Sequence, residues 1–290
     1  MNPQHIILFH HFRRVLQAAK KEGISVAPLK GAHLVTSVYP LDEDRGLFAD
    51  VDFLVKEDDY EKSWALLLEL GFTQRINKNR LESAKYSEDT GFYLEIAFEK
   101  RILFEVHRYL ERKDRHPVNY EDLWLRAYES TFDGVSCMRL SSEDHFLHCA
   151  MHLMTDRFTS PKRGLRDLEL LLMNGNVNLD IVADRAVSWQ CSRAVWLALT
   201  LLAQKSPGVK VDKYIKKLSP PVYIKRALRF LVPDVAGFRF ANIGLRNEQA
   251  ILWPFLMDGL GPILRFSSCF LKLRIADILR QIKEKGARHL

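Results

Sequence analysis

Residues 47–56 read Leu-Phe-Ala-Asp-Val-Asp-Phe-Leu-Val-Lys, and this run predicts a buried strand because apolar β-formers surround two carboxylates. The carboxylates belong to Asp50 and Asp52, and residues two apart on a strand point to the same face. Like charges on one face repel each other unless a cation lies between them or solvent screens them. The stretch therefore predicts either a divalent-metal site or a strand end with a solvated acidic face.

Length and composition indicate a globular protein. The chain has 290 residues, of which 47% are hydrophobic and 27% charged, so it can bury a large core in one or two domains. Its N-terminal residues lack the pattern of a signal peptide, and no apolar run reaches the roughly 18 residues of a transmembrane helix. Widely spaced cysteines favour reduced thiols over zinc or disulfide pairs, so we expect a cytoplasmic protein. The cysteines are Cys137, Cys149, Cys191 and Cys269.

Charge is distributed unevenly along the chain. Residues 1–135 hold 19 basic and 23 acidic side chains, a net charge of −4. Residues 136–290 hold 24 basic and 13 acidic side chains, a net charge of +11. An acidic half with a metal-type motif and a basic half suit a protein that gathers a metal ion and an anionic substrate. A basic surface that serves only solubility is the alternative.

The stretch before the acidic strand contains a glycine in a suggestive position. The pattern predicts a helix over 3–22, a short strand over 24–29 and a second helix over 32–39. Gly31 would then lie at a strand-to-helix turn, where backbone N–H groups at the positive end of a helix can hold a phosphate. Lys30 beside it adds a positive charge. Tight packing at the turn is the alternative explanation for the glycine.

Two further acids lie in β-rich runs after the acidic strand. The runs cover 92–98 and 102–109 and are joined by residues 99–101, which predicts a hairpin. Each run carries a carboxylate between apolar neighbours, Glu95 in the first and Glu105 in the second. Such an acid is ordinary on a half-exposed strand, but a metal site on a neighbouring strand would use one of them as a third ligand. The spacing of the two runs does not choose between these acids.

From about residue 141 the sequence becomes helical. The change places a boundary near 135–140, so we expect an α+β fold with an α/β domain over 1–138 and a helical domain over 139–290. The predicted helices of the second half cover 141–154, 163–173, 182–204, 222–231, 247–257 and 263–285.

Polar clusters in the helical half leave two interpretations each. His145, His148 and His152 share one helix face and would either bind a metal or face a domain interface or cleft. Arginines follow shortly after, together with Asp167, and would either form surface ion pairs or contact phosphate. These arginines are Arg157, Arg163 and Arg166. The last predicted helix is basic and would either contact a membrane surface or nucleic acid, or pack with a solvated basic face.

Taken in order, these motifs resemble those of the uncharacterised nucleotidyltransferase family within the polymerase-β-like nucleotidyltransferase superfamily. The resemblance covers most of the chain. The matching motifs are Leu29-Lys30-Gly31, Tyr39, Arg45, the Asp-Val-Asp-Phe-Leu-Val of residues 50–55, Glu105-Val106-His107, His152 and Leu165-Arg166-Asp167-Leu168. Two features depart from the wider superfamily. Ala32 stands where Gly or Ser is usual, and the spacing from Gly31 to Asp50 is long.

The resemblance implies a fold and an activity. A nucleotidyltransferase domain with a small mixed sheet would be followed by a helical domain that covers the nucleotide. The protein would move a nucleoside monophosphate from a nucleoside triphosphate, with ATP favoured, to a hydroxyl of an unidentified acceptor.

The resemblance also implies roles for particular residues. Asp50, Asp52 and Glu105 would be the catalytic and metal-binding acids, with one or two Mg²⁺ ions or with Mn²⁺. Glu105 would also draw the proton from the attacking hydroxyl. The implied nucleotide-binding residues are Lys30, Gly31, Arg45, His152, Arg166 and Asp167.

Two other functional classes remain open from the sequence. A catalytically degenerate member of the same fold would bind nucleotide or a partner chain without turnover. A nucleic-acid binder would use the basic half, but the sequence lacks interleaved aromatic residues of the kind that stack on bases, so this class is not favoured.

Overall fold

A computed structural model gives the fold of the chain. The residues it describes are 3–40, 43, 45–46, 50–75, 89–96, 101–113, 115–155, 161–232, 254–261, 263–264 and 267–268. The predicted hairpin turn at 99–100, Arg157, Cys269 and most of the last two predicted helices lie outside these residues.

A mixed sheet lies at the centre of the first half. Its strands are β1 (Val26–Pro28), β2 (Asp50–Val55), β3 (Thr73–Gln74), β4 (Asp89–Glu95) and β5 (Arg101–His107). The spatial order is β1-β2-β5-β4-β3. Strand β2 pairs in parallel with β5, whereas the other neighbours are antiparallel. The predicted strands are present, although β4 begins at Asp89, three residues before the start of the predicted run at 92.

The register of β2 against β5 places the acids. Asp52 lies opposite Glu105, and Asp50 lies opposite Leu103. Since side chains alternate between the faces of a sheet, Asp50, Asp52 and Glu105 share one face. The other face carries buried apolar residues such as Phe53 and Phe104.

Two helices cover this apolar face. Helix α1 (Pro3–Lys21) buries Phe12, whose ring lies 5.5 Å from that of Phe53. Helix α3 (Tyr60–Glu69) buries Leu67 in the same core. The predicted bounds of α1 are confirmed to within one residue, and the chain turns after it at Gly23 with a φ of +69°.

Helix α2 (Lys30–Ser37) begins earlier than its sequence pattern predicts. Gly31 therefore lies in the first helical turn rather than before it. The residue with the left-handed backbone is Lys30, whose φ is +43°.

A second hairpin follows the sheet and was not predicted. Helix α4 (Tyr120–Arg126) leads into β6 (Tyr128–Phe132) and β7 (Val135–Arg139), which pair antiparallel. The turn between them is Asp133-Gly134, both with positive φ. Asp-Gly between β-rich residues is a strong hairpin signal that the sequence reading left unused.

Helices form the described part of the second half, namely α5 (Ser142–Thr155), α6 (Pro161–Asn174), α7 (Leu179–Ser188), α8 (Ser192–Lys205), α9 (Asp212–Lys217) and α10 (Val222–Leu231). The single helix predicted over 182–204 is wrong, because the chain breaks at Trp189-Gln190-Cys191 with a φ of +53° at Gln190. Within the described residues, no helix is long and apolar enough to cross a bilayer.

The expected α+β class is confirmed, and the two halves share a core. Ala27, Leu29 and Leu54 from the sheet region lie in one buried cluster with residues of α5, α6 and α8 such as Leu147 and Leu165. The proposed division at residue 138 stays a prediction.

A buried cluster of basic side chains joins α2, β7 and α5. The rings of His33 and His145 stack with centroids 3.8 Å apart. Arg139 Nη1 lies 3.1 Å from His33 Nδ1, and the guanidinium also donates to the Thr131 carbonyl at 2.9 Å. Burial and the nearby Arg139 lower the pKa of His145 to about 3.

This cluster predicts loss of stability in acid. Between pH 6.5 and pH 3 the unfolded chain binds a proton at His145 that the folded chain does not, so stability falls as pH falls. Through His145, the free energy of unfolding at pH 5.5 should be about 1.4 kcal/mol lower than at pH 7.5. Urea unfolding at both pH values should show a smaller loss for His145→Phe than for the native chain.

The control is Leu147→Ala on the same helix. It removes buried apolar volume but no titratable group, so it should lower the free energy of unfolding by about 2–5 kcal/mol equally at both pH values. Equal pH dependence of His145→Phe and the native chain would contradict the prediction.

Candidate active site

A cavity of about 430 Å³ lies between the acidic face of the sheet and the helical half. Strands β2 and β5 supply acids, α2 and the 43–46 segment supply cations, and α5 and α6 cover the opposite side. The lining residues are Lys30, Gly31, Leu34, Arg45, Asp50, Asp52, Glu105, Cys149, His152, Leu153, Arg163, Gly164 and Asp167.

One group of side chains is arranged so that it could hold a metal ion. Asp52, Glu105 and His107 each offer a ligand atom, and these atoms lie within 4.8 Å of one another. Parallel pairing puts Asp52 beside Glu105, and strand alternation puts His107 on the same face two residues further along β5. The two carboxylates suit a hard divalent ion such as Mg²⁺ or Mn²⁺, and the imidazole adds a nitrogen ligand that is more usual for transition metals.

Asp50 lies next to this group on β2 and lines the same cavity. Burial and the charge of Asp52 raise the pKa of Asp50 to about 6. A bound cation would offset both effects, because it favours the charged carboxylate. The side chains present therefore fit a divalent ion.

The two candidate third acids differ in position. Glu105 lines the cavity opposite Asp52, whereas Glu95 lies opposite Arg101 at the far end of the β4–β5 pair. Glu95 is four strand positions away from the level of Glu105, about 13 Å at the usual rise of a strand. Its carboxylate accepts from Arg101 Nη2 at 2.7 Å. These positions favour Glu105 as the acid that would join Asp52.

Lys30 reaches into the acidic group from the start of α2. Its Nζ donates to Oδ1 of Asp52 at 2.7 Å, and His107 Nε2 lies 2.8 Å from the same oxygen. Burial acts to raise the pKa of Asp52, but the Lys30 ammonium and His107 outweigh it and hold that pKa well below its usual range. Asp52 is therefore ionised at neutral pH. Gly31 follows Lys30 in the first helical turn and lines the cavity.

Arg45 is fixed at the cavity by a buried ion pair. Its Nε and Nη2 donate to the two oxygens of Asp167 at 2.8 and 2.6 Å. Tyr39 Oη donates to Asp167 Oδ1 at 2.7 Å. Such a two-pronged contact fixes the plane of the guanidinium as well as its charge. Asp167 thus positions Arg45 and ties it to α6.

Helix α6 contributes a second arginine to the cavity. Arg163 lines it together with Gly164, and the described residues offer Arg163 no ion pair. A Cβ at Gly164 would lie 2.8 Å from Leu153 Cδ1, so the glycine lets α6 approach α5 closely enough for both helices to line one space.

Arg166, predicted to bind nucleotide, lies outside the cavity lining. Its guanidinium forms hydrogen bonds to both oxygens of Glu43, and Nη1 donates to Glu169 at 2.7 Å. Arg163 and Arg166 are neighbours on one side of α6, but the pairing with Glu43 and Glu169 directs the Arg166 guanidinium away from the cavity.

The three histidines of α5 also differ in whether they line the cavity. His152 lines the cavity, whereas His145 and His148 are buried. Burial and the Lys30 ammonium lower the pKa of His152 well below its usual value, so its ring is neutral at pH 7.

Two polar residues of the candidate site, His107 in the possible metal group and Arg163 in the cavity lining, were not among the sequence-predicted site residues. His107 belongs to the Glu-Val-His motif, and its i, i+2 spacing from Glu105 on a strand was the signal that places both on one face. Arg163 was noticed only as one of several arginines, since sequence alone does not tell which helix face meets the cleft.

The chain belongs to a nucleotidyltransferase family. The model of the family described as uncharacterised nucleotidyltransferase, NTP_transf_5, matches residues 3–205. This family membership supports nucleotidyl transfer in general and a nucleoside triphosphate as substrate. The comparison with curated protein sequences gives no match.

Two solved structures resemble the chain weakly. The antibiotic-resistance factor ANT(2'')-Ia is 14% identical with a TM-score of 0.44, over 69% of this chain and 97% of that chain. An antigenic nucleotidyltransferase-like protein from Paracoccidioides brasiliensis is 15% identical with a TM-score of 0.43, over 72% of this chain and 92% of that chain.

The Arg45–Asp167 pair leads to a stability prediction. Removing one partner leaves the other charge buried, so Arg45→Met and Asp167→Leu should each destabilise the chain by about 3–5 kcal/mol. The double variant removes both charges, so its loss in free energy of unfolding should be smaller than the sum of the two single losses. The difference is the coupling energy, which we expect to be about 1–3 kcal/mol.

Urea unfolding of the native chain, the two single variants and the double variant measures this coupling. Tyr39→Phe is the matched control, since it removes one donor to Asp167 and should cost about 1 kcal/mol. Additivity of the Arg45 and Asp167 effects within about 0.5 kcal/mol would show that the pair does not act as a unit.

Proposed function

We propose that the protein transfers a nucleoside monophosphate from a nucleoside triphosphate, with ATP favoured, to a hydroxyl group of an acceptor, with a divalent metal ion bound by its acidic residues. One observation carries the proposal: Asp52 and Glu105 face each other across parallel strands, beside Asp50, in a cavity that Lys30 and Arg163 also line. A cavity with acids on one wall and cations on the other matches the needs of a metal-bound triphosphate.

Asp52, Glu105 and His107, with Asp50 beside them, are the residues that would hold the metal ion. When bound, Mg²⁺ or Mn²⁺ would neutralise charge on the phosphate oxygens and lower the pKa of a hydroxyl near it.

The acids also have a role of their own in the transfer. The acceptor oxygen forms a bond to the α-phosphorus. The bond from that phosphorus to the oxygen it shares with the β-phosphorus breaks, and pyrophosphate leaves. The hydroxyl proton passes to a carboxylate, for which Glu105 is the candidate because it is half-buried at the cavity wall.

Cations on the opposite side would bind the leaving phosphates. Arg45 is pre-oriented by Asp167, and Arg163 extends from α6 into the cavity. Guanidinium groups match pairs of phosphate oxygens, and an arginine that is already fixed loses little side-chain entropy on binding. Gly31 would add its backbone N–H at the start of α2. The neutral ring of His152 would contact the nucleotide without adding charge.

Glu105→Gln tests the proposal most directly. It keeps the size of the side chain but removes its charge, so transfer of label from α-³²P-ATP should fall at least about a hundredfold. Glu95→Gln is the control, because Glu95 lies on the neighbouring strand β4 and does not line the cavity. As a surface substitution it should leave the transfer rate within about twofold of the native rate.

A broad set of hydroxyl acceptors is needed, with pyrophosphate release followed for each. Full activity of Glu105→Gln would contradict the proposed role of this acid. Binding of nucleotide with no transfer to any acceptor would favour the other function, that of a nucleotide- or partner-binding protein with this fold.

Arg163 and Arg166 form a matched pair for testing phosphate binding. Arg163→Ala should weaken binding of α,β-methylene-ATP about 10- to 100-fold, the loss expected for a charge-assisted contact, and should leave AMP binding unchanged. Arg166→Ala should leave both affinities within about twofold, because that arginine is paired with Glu43 and Glu169. Calorimetric titration measures all four affinities, and the opposite ranking would return Arg166 to the nucleotide site.

A further inference from the structure

The Lys30 ammonium lies among the cavity acids. Its Nζ is 2.7 Å from Asp52 Oδ1, and the two side chains are 16% and 5% exposed. Asp50 and Glu105 line the same cavity and act electrostatically on Lys30. A positive charge is therefore already present at the position where the acidic side chains converge.

The backbone holds Lys30 in this place. Its φ of +43° lies in the left-handed region, which a residue with a side chain keeps only where the surrounding structure enforces it. The preceding Leu29 N–H donates to the main-chain oxygen of Asp52 at 2.9 Å. Residues 29–30 are thus joined to Asp52 through both main chain and side chain, so the ammonium is part of a built arrangement.

The charges of the site argue that Lys30 replaces a metal ion. Asp50, Asp52 and Glu105 bring three negative charges, and two divalent ions would bring four positive ones. Lys30 already neutralises one carboxylate, and Asp52 Oδ1 is contacted by both Lys30 and His107. The ligands offered to a metal ion are then the second oxygen of Asp52, together with Asp50, Glu105 and His107.

We propose that Lys30 is a built-in cation that takes the place of one of two divalent ions, so that the site binds a single divalent ion. This inference rests on the metal-binding part of the proposed function. It assigns Lys30 to the metal centre rather than to the phosphates of the nucleotide.

Counting bound Mn²⁺ tests the inference without any need for activity. Electron paramagnetic resonance titration with Mn²⁺ alone should give one ion per native chain. Lys30→Met removes the internal cation, so the first ion should bind at least tenfold more tightly and a second should bind as well. Lys30→Arg keeps the positive charge and should retain one ion, which separates loss of charge from altered folding. Thermal melts of each variant confirm that it is folded.

Lys56→Met is the matched control. This exposed lysine follows β2, away from the cavity, with its Nζ 5.9 Å from the centre of the Trp124 ring. Its Mn²⁺ titration should equal that of the native chain.

Each outcome decides one of the two proposals. Two ions or none in the native chain, or a Lys30→Met titration like that of the native chain, would overturn the inference. The expected Mn²⁺ counts without nucleotidyl transfer to any acceptor would leave the inference standing and overturn the proposed function. Nucleotidyl transfer by a native chain that binds two ions would support the proposed function and overturn the inference about Lys30.

Discussion

The parallel pairing of β2 with β5 is the constraint on which the site depends. It sets Asp52 beside Glu105 and brings His107 to the same face. A slip of one residue in β2 would turn Asp52 into the apolar core and expose Phe53, and a slip in β5 would do the same to Glu105, His107 and Phe104. The core against α1 therefore fixes the register, and the register in turn fixes the acids. The packing of apolar residues on one face and the chemistry of the other are consequences of the same alignment.

Two ion pairs connect the elements around this sheet. Lys30–Asp52 holds the start of α2 against β2, and Arg45–Asp167 holds Arg45 against α6. Both pairs are largely buried, so breaking either would leave a charge without its partner. Each also presents a cation to the cavity. The contacts that hold the elements together are therefore the same contacts that distribute charge in the candidate active site.

The features that could be predicted from the sequence are those that depend on the local pattern of apolar and polar residues. The two aspartates at i and i+2, the apolar residues between them and the helix over 3–21 all follow from local pattern. Glu105 and Glu95 could not be separated on spacing alone, because both lie between apolar residues, and only the register between strands distinguishes their positions. The break at Gln190 was missed because the apolar pattern continues across it. The face of α6 that meets the cleft likewise depends on tertiary packing, which no local pattern encodes.

The uneven charge of the chain has a structural explanation beyond substrate binding. Arg166 of the basic half forms an ion pair with Glu43 of the acidic half, and Asn174 on the same helix donates to the Val38 carbonyl at 3.0 Å. With Asp167 contacting Tyr39 and Arg45, helix α6 thus contacts four described residues that follow α2, namely Val38, Tyr39, Glu43 and Arg45. Part of the opposite charge of the two halves therefore serves their association. The charge that remains directed at the cavity is that of Lys30, Arg45, Arg163 and the acids. This residue set, rather than the overall excess of basic residues, is what the proposed chemistry requires.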